Sequence, residues 1–194
     1  MDAAPPIPLG VLASGRGSNL KNLLQSGFRV AAVATNRPHC GAAQIAREWG
    51  SPLGEFPQSR YDSRVERDRA MVTWFKAQGA ELIVNAGYDR ILDPVFVHAF
   101  ADRILNLHPS LLPAFGGSMD AVEQALRAGV KLTGCTVHLV VEEVDAGPIL
   151  LQAAVPVLDG DSVDTLRARI QAEEHRILPE AIRLLAQKSP SIRQ

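Results

Sequence analysis

The chain has 194 residues, 46% of them hydrophobic, with 20 Lys and Arg against 21 Asp and Glu. That length suits one domain with a single core, and a net charge of -1 leaves no excess of positive charge to neutralise a nucleic-acid backbone. No apolar run approaches the roughly 18 residues of a membrane span, and the start, Met-Asp-Ala-Ala-Pro-Pro-Ile-Pro, lacks the basic and apolar stretches of a secretory leader. Cys40 and Cys135 stand far apart and outside any Cys-x-x-Cys pair, which points to free thiols in a reducing compartment rather than a disulfide framework or metal site. The expectation is a cytoplasmic chain forming one domain over 1–194, with flexible tails at 1–8 and 188–194. It takes small-molecule partners and no nucleic acid, membrane or metal; monomer and homodimer both stay open.

In chain order, Leu9–Ala13 reads as a buried strand and Ser18–Gln25 as a short helix with Leu20, Leu23 and Leu24 at helical spacing. Val30–Ala34 is a second strand, followed by the breaker Asn36-Arg37-Pro38 and a helix near Ala42–Trp49. The polar stretch Ser59–Gln78 predicts an exposed helix turning Val65, Met71, Val72 and Phe75 inward. Glu81–Ala86 and Ile104–Leu107 are further strands. Asp120, with Glu123 three residues on, marks a helix start. Val137–Val141 and Ile149–Val157 read as strands joined by a loop holding Asp145 and Gly147. Ser162 caps a last helix running to about Leu178, where Pro179 kinks or restarts it. Strands alternating with helices imply an α/β fold: a mostly parallel, doubly wound (Rossmann-like) sheet with helices on both faces. Ligands of such folds bind beyond the carboxyl ends of strands.

The first strand runs into Ser14-Gly15-Arg16-Gly17-Ser18-Asn19 and then a helix. The glycines permit tight backbone geometry, the amides at the helix start face an anion, and Arg16, Ser18 and Asn19 add charge and donors. Leu20 stands where a dinucleotide fingerprint has its third glycine, and the second strand ends in Thr35-Asn36 with no acid for a ribose. A monophosphate is the ligand this loop fits.

Asn106-Leu107-His108-Pro109 follows a strand, whose alternation turns Asn106 and His108 one way and Leu105 and Leu107 the other. Pro109 disfavours helical geometry at His108 and keeps it extended. An amide and an imidazole side by side can grip one carbonyl oxygen, Asn106 donating to the oxyanion and His108 supplying a proton. Asp145 within reach would favour the protonated imidazole and accept a proton from an attacking amine. His138, between Val137 and Leu139, reads as structural or supporting. Glu174 interrupts the apolar stripe Val163, Leu166, Ile170 and Ile177, and an inward carboxylate needs a partner.

The segments Ser14–Asn19, Ala86-Gly-Tyr-Asp-Arg-Ile-Leu92, Asn106-Leu-His-Pro-Ser-Leu-Leu-Pro113, Gly134-Cys-Thr-Val-His138 and Asp145-Ala-Gly-Pro-Ile149 together resemble the glycinamide ribonucleotide formyltransferase family, from about residue 9 to 187. The resemblance implies 10-formyltetrahydrofolate as donor, 5-phosphoribosylglycinamide as acceptor and no metal. It implies a catalytic trio of Asn106, His108 and Asp145, and a phosphate site at Gly15, Arg16, Gly17, Ser18 and Asn19. Acceptor contacts fall at Gln171 and Glu174, and folate contacts at Arg64, Asp89, Arg90, Ile91, Leu92, Val140 and Asp145. Two positions depart from the family pattern. Phe115-Gly-Gly-Ser-Met-Asp120 replaces a Pro-Gly soon followed by His, and Asp89 stands where an apolar residue is common. Rival readings are a formyl-folate hydrolase, another formyltransferase of the superfamily such as one acting on initiator methionyl-tRNA, and a non-catalytic phospho-metabolite binding protein. A proton donor at a strand end argues against the last.

Overall fold

In the computed structural model, which describes residues 7–188, strands alternate with helices and the fold is α/β. The tails expected at 1–8 and 188–194 lie, except for 7, 8 and 188, outside the described residues. The chain divides into two compact units, one running to Ile104 and resuming at Ala186, the other Leu105–Leu185.

The first unit is built from β1 (Leu9–Leu12), α1 (Ser18–Gln25), β2 (Val30–Thr35), α2 (Gly41–Glu48), β3 (Leu53–Glu55), α3 (Arg64–Ala77), β4 (Leu82–Asn85) and α4 (Pro94–Ala99). Its strands are all parallel in the order β3-β2-β1-β4. All four residues of β1 are buried, as a continuous apolar run in the middle of a covered parallel sheet requires. The chain winds outward from β1 to β3 and then restarts on the other side at β4, so the topological switch falls between β1 and β4. The loops leaving these two strands meet there: Ser14 N–H donates to the Gly87 carbonyl at 3.0 Å and Ala86 N–H to that of Leu12 at 2.9 Å. Beneath them lies an aromatic core. Phe75 is fully buried against Phe96 and Phe100 at centroid distances of 6.2 and 6.4 Å. A side chain on Gly10 would come within 2.7 Å of Phe75 and Ile83, which is why β1 carries glycine there.

The second unit holds β5 (Ile104–His108) from its second residue, α5 (Ala121–Ala128), β6 (Leu132–Leu139), β7 (Ile149–Pro156) and the long α6 (Val163–Lys188) as far as Leu185. Here β5, β6 and β7 run antiparallel, with a register shift between Val137 and His138.

Several boundaries moved from their sequence-based positions for local reasons. The helix expected over Ser59–Gln78 is split, because the Ser63 hydroxyl accepts from Glu66 N–H at 3.1 Å and starts α3 afresh. Strand β6 begins at Leu132, five residues earlier than Val137, because Leu132–Cys135 pairs with Ala153–Pro156. β3, with a glycine at its centre, and α4, six residues started by Pro94 behind an Asp93 cap, were too short to register as periodic patterns. Asp120 stands at the start of α5 without a side-chain cap bond, whereas Ser162 Oγ accepts from Thr165 N–H at 3.2 Å. Pro179 sits inside α6, which continues past it.

Phe75→Ala removes the centre of the aromatic core and is expected to cost about 3–5 kcal/mol in urea unfolding with little change in the denaturant slope.

Candidate active site

Strand β5 ends in two chemistry-bearing side chains on one face. Leu105 and Leu107 are buried, while Asn106 is half-buried and His108 is 5% exposed. Antiparallel pairing sets Asn106 opposite His138 on β6, so two imidazoles and an amide are brought together by the ladder. The loop after β6 supplies the acid. Asp145 has left-handed backbone (φ 56°), a conformation that Asp tolerates better than most residues. Two positions later, any side chain on Gly147 would collide with the Leu139 carbonyl.

The Asp145 carboxylate is the hub. Its Oδ1 accepts from Asn106 Nδ2 at 3.1 Å and lies 3.4 Å from His138 Nε2. Its Oδ2 accepts from Gly117 N–H at 2.8 Å and faces His108 Nδ1 at 3.3 Å. Burial alone would raise this carboxyl, but the His138 ring, the Gly117 amide and the charge of His108 outweigh it and hold it at about 2, against an ordinary 3.8. His138 Nδ1 donates to the Leu139 carbonyl at 2.9 Å. Its Nε2, 3.0 Å from Asn106 Nδ2, accepts from the amide when the ring is neutral and donates to Asp145 when it is charged. The Asn106 nitrogen therefore points inward at His138 and Asp145, and its oxygen is turned away from them. His108 Nε2 donates to the Phe115 carbonyl at 3.0 Å. Both ring nitrogens of His108 thus face acceptors.

The loop after β5 closes this cluster. Phe115 is left-handed (φ 57°) and follows a cis Leu112–Pro113 peptide. The turn before it is tied down by Thr136, whose hydroxyl donates to the Ser110 carbonyl at 2.6 Å and accepts from Leu112 N–H at 3.0 Å. Next along the chain is a cavity of about 150 Å³, lined by Pro109, Met119, Val122 and, from α6, Arg167, Ile170, Gln171 and Glu174. Both residues expected to touch the acceptor line it, beside the residue that follows His108.

In the first unit, Gly15 and Arg16 are exposed while Gly17 and Asn19 are buried, with Ser18 between. Gly17 has φ 79°, and a Cβ there would lie 2.7 Å from the Ala42 Cα, so only glycine lets α2 approach the loop this closely. Asp89 is fully engaged within the protein. Its N–H donates to Ser14 Oγ at 3.1 Å, its Oδ1 accepts from Asn36 Nδ2 at 2.8 Å, and its Oδ2 pairs with Arg37. Burial pushes Asp89 up, yet the Asn36 hydrogen bond and the Arg37 charge bring it below the usual carboxylate range. What the segment presents outward is Arg90 and Ile91, 54% and 58% exposed, and half-buried Leu92. Arg64 pairs with Asp93 at 3.2 Å, and Val140 is half-buried just after β6. Among the described residues no group of three or more His, Cys, Asp or Glu is arranged to hold a metal ion, and no helix is long and apolar enough to cross a membrane.

Sequence reasoning missed the loop's part in this cluster, the Phe115 carbonyl and the Gly117 amide. Backbone groups carry no residue-type signal; the two glycines after Phe115 were the one trace of a chain free to fold back.

Residues 9–182 match a family model described as formyl transferase. The phosphoribosylglycinamide formyltransferase of Mycobacterium tuberculosis is 46% identical over 186 residues, 93% of this chain and 86% of that one. The Escherichia coli enzyme of the same name is 40% identical over 178 residues, 89% of this chain and 84% of that one. Among solved structures, glycinamide ribonucleotide transformylase 1 of Symbiobacterium toebii superposes with a TM-score of 0.90 at 48% identity, covering 94% of this chain and 88% of that one.

Because the Asp145 carboxyl is depressed, its contribution to stability is present above its ordinary 3.8 and is lost as pH falls through about 2. Discounted for solvent screening it amounts to about 1–2 kcal/mol. Urea unfolding of Asp145→Asn is expected to lack that part of the acid loss between about pH 5 and pH 2; parallel acid slopes in the two proteins would contradict it.

Proposed function

The chain belongs to the formyl transferase family, and on that footing we propose that it transfers the formyl group of 10-formyltetrahydrofolate to the free amine of 5-phosphoribosylglycinamide, a step of purine biosynthesis. The observation that carries the reading is the convergence of Asn106, His108 and Asp145 at one strand end, with Asp145 Oδ2 3.3 Å from His108 Nδ1. Residues 15–19 take the phosphate of the acceptor, Gln171 and Glu174 its sugar or glycyl portion, and Arg64 with Asp89, Arg90, Ile91, Leu92 and Val140 the folate. Of these, Asp89 acts through the backbone it holds, since its own oxygens are spent on Asn36 and Arg37.

The amine attacks the formyl carbon, a C–N bond forms and the carbonyl oxygen becomes an oxyanion. His108 Nε2 carries the donor for it, and the formyl oxygen replaces the Phe115 carbonyl that this N–H now serves. Asp145 orients the ring through Nδ1 and takes part in relaying the amine proton to the departing folate nitrogen, whose bond to the formyl carbon then breaks. Asn106 holds Asp145 through Nδ2 and offers Oδ1 to the incoming amine; donation to the oxyanion requires its amide to turn over, at the loss of the bonds to Asp145 and His138. Holding both substrates together makes the encounter effectively intramolecular. No covalent enzyme intermediate is needed. The chain works as one formyltransferase domain in the cytoplasm on small-molecule substrates.

His108→Ala is expected to lower kcat by about 10²–10⁴ while leaving both KM values close to those of the parent, followed through the release of deformylated folate. Unchanged turnover removes His108 from the mechanism. Inorganic phosphate is expected to inhibit competitively against the acceptor and not against the folate, as a loop specific for the acceptor phosphate requires.

A further inference from the structure

Two neighbouring charges lie inside the first unit where α3 faces the core: Arg67 and Asp68, 2% and 0% exposed. Such a pair is a poor way to stabilise a core, since apolar side chains of the same volume usually do as well or better. Its hydrogen bonds lead elsewhere. The Arg67 guanidinium reaches Asp68 Oδ1 at 2.7 Å, Gln58 Oε1 at 3.0 Å and the Ile91 carbonyl at 3.4 Å, and it lies 6.0 Å from the centre of the Tyr88 ring. The other oxygen of Asp68 accepts from Asp93 N–H at 2.6 Å. Asp93 in turn caps α4 through Val95 N–H at 3.1 Å.

Three of these contacts fasten the stretch Tyr88–Asp93 from beneath: the Tyr88 ring, the Ile91 carbonyl and the Asp93 amide. The stretch has no helix or strand of its own to fix its course. With its backbone held from the inside, the side chains of Arg90 and Ile91 are left to face outward, 54% and 58% exposed. We propose that the buried Arg67–Asp68 pair is a positioning device for the folate donor, setting the backbone of residues 88–93 so that Arg90, Ile91 and Leu92 meet the ligand. The proposal rests on the reading of residues 90–92 as folate contacts. Neither Arg67 nor Asp68 touches substrate; both act through the segment they hold.

The test uses the full chain, with the KM for the formyl-folate and that for phosphoribosylglycinamide measured separately. The variants are Arg67→Lys, Arg67→Met with Asp68→Leu, Arg90→Ala and Ile91→Ala. The double variant removes both charges together, so no unpaired ion is left buried. Lys keeps a charge beside Asp68 but a single ammonium cannot span Gln58, Asp68 and the Ile91 carbonyl together. The double variant is expected to raise the folate KM by about tenfold or more and Arg67→Lys by a smaller factor, with kcat and the acceptor KM within about twofold of the parent. A purely structural role predicts instead a lower Tm and active fraction with the folate KM unmoved, and that pattern overturns the proposal. Should the double variant not fold, Arg67→Lys alone decides by the same criterion. If Arg90→Ala or Ile91→Ala raises the folate KM while the folded Arg67 variants do not, only the positioning role fails. If neither Arg90→Ala nor Ile91→Ala moves it, the folate reading of the segment fails and the proposal falls with it.

Discussion

One carboxylate holds the second unit's chemistry together. Asp145 is approached by an asparagine amide, two imidazoles and a backbone N–H, all within 3.4 Å. A buried carboxylate without such partners would take up a proton; here they keep it ionised, and the ionised form in turn fixes their orientations. Asn106, His108 and His138 come from two antiparallel strands, and Asp145 is the partner they share. The backbone cooperates, because Asp145 accepts a left-handed conformation and Gly147 leaves room for the Leu139 carbonyl.

The loop of residues 114–120 closes the same hub from outside the sheet. The Phe115 carbonyl accepts from His108 Nε2 and the Gly117 N–H donates to Asp145 Oδ2, so the cluster is tied to the protein's own backbone.

In the first unit a different principle orders the loops, the topological switch of a parallel sheet. The loops leaving β1 and β4 are adjacent because the chain reverses its winding between them, and Ser14 joins them through the Gly87 carbonyl and the Asp89 N–H. Asp89 supplies a charge that holds Asn36 and Arg37 on the same rim. Its presence in place of an apolar residue is thus explained by the network it completes within the protein.

The residues by themselves determined the strand–helix rhythm, the glycine loop and the alternation that aligns Asn106 with His108. These depend on neighbours in the chain, where period and backbone preference act directly, and Ser18–Gln25 came out with its boundaries intact. The antiparallel turn of β5, β6 and β7 was beyond reach, since an apolar strand reads alike in either direction. Tertiary structure alone decided that His138 joins Asn106 and Asp145, that Phe115 and Gly117 reach the cluster through backbone atoms, and that Arg67 and Asp68 are buried. Those facts rest on contacts between residues distant in sequence, such as the 25 positions from Asp68 to Asp93. A charged residue on a polar helix looks solvated until the chain folds over it, and only then does its burial demand partners.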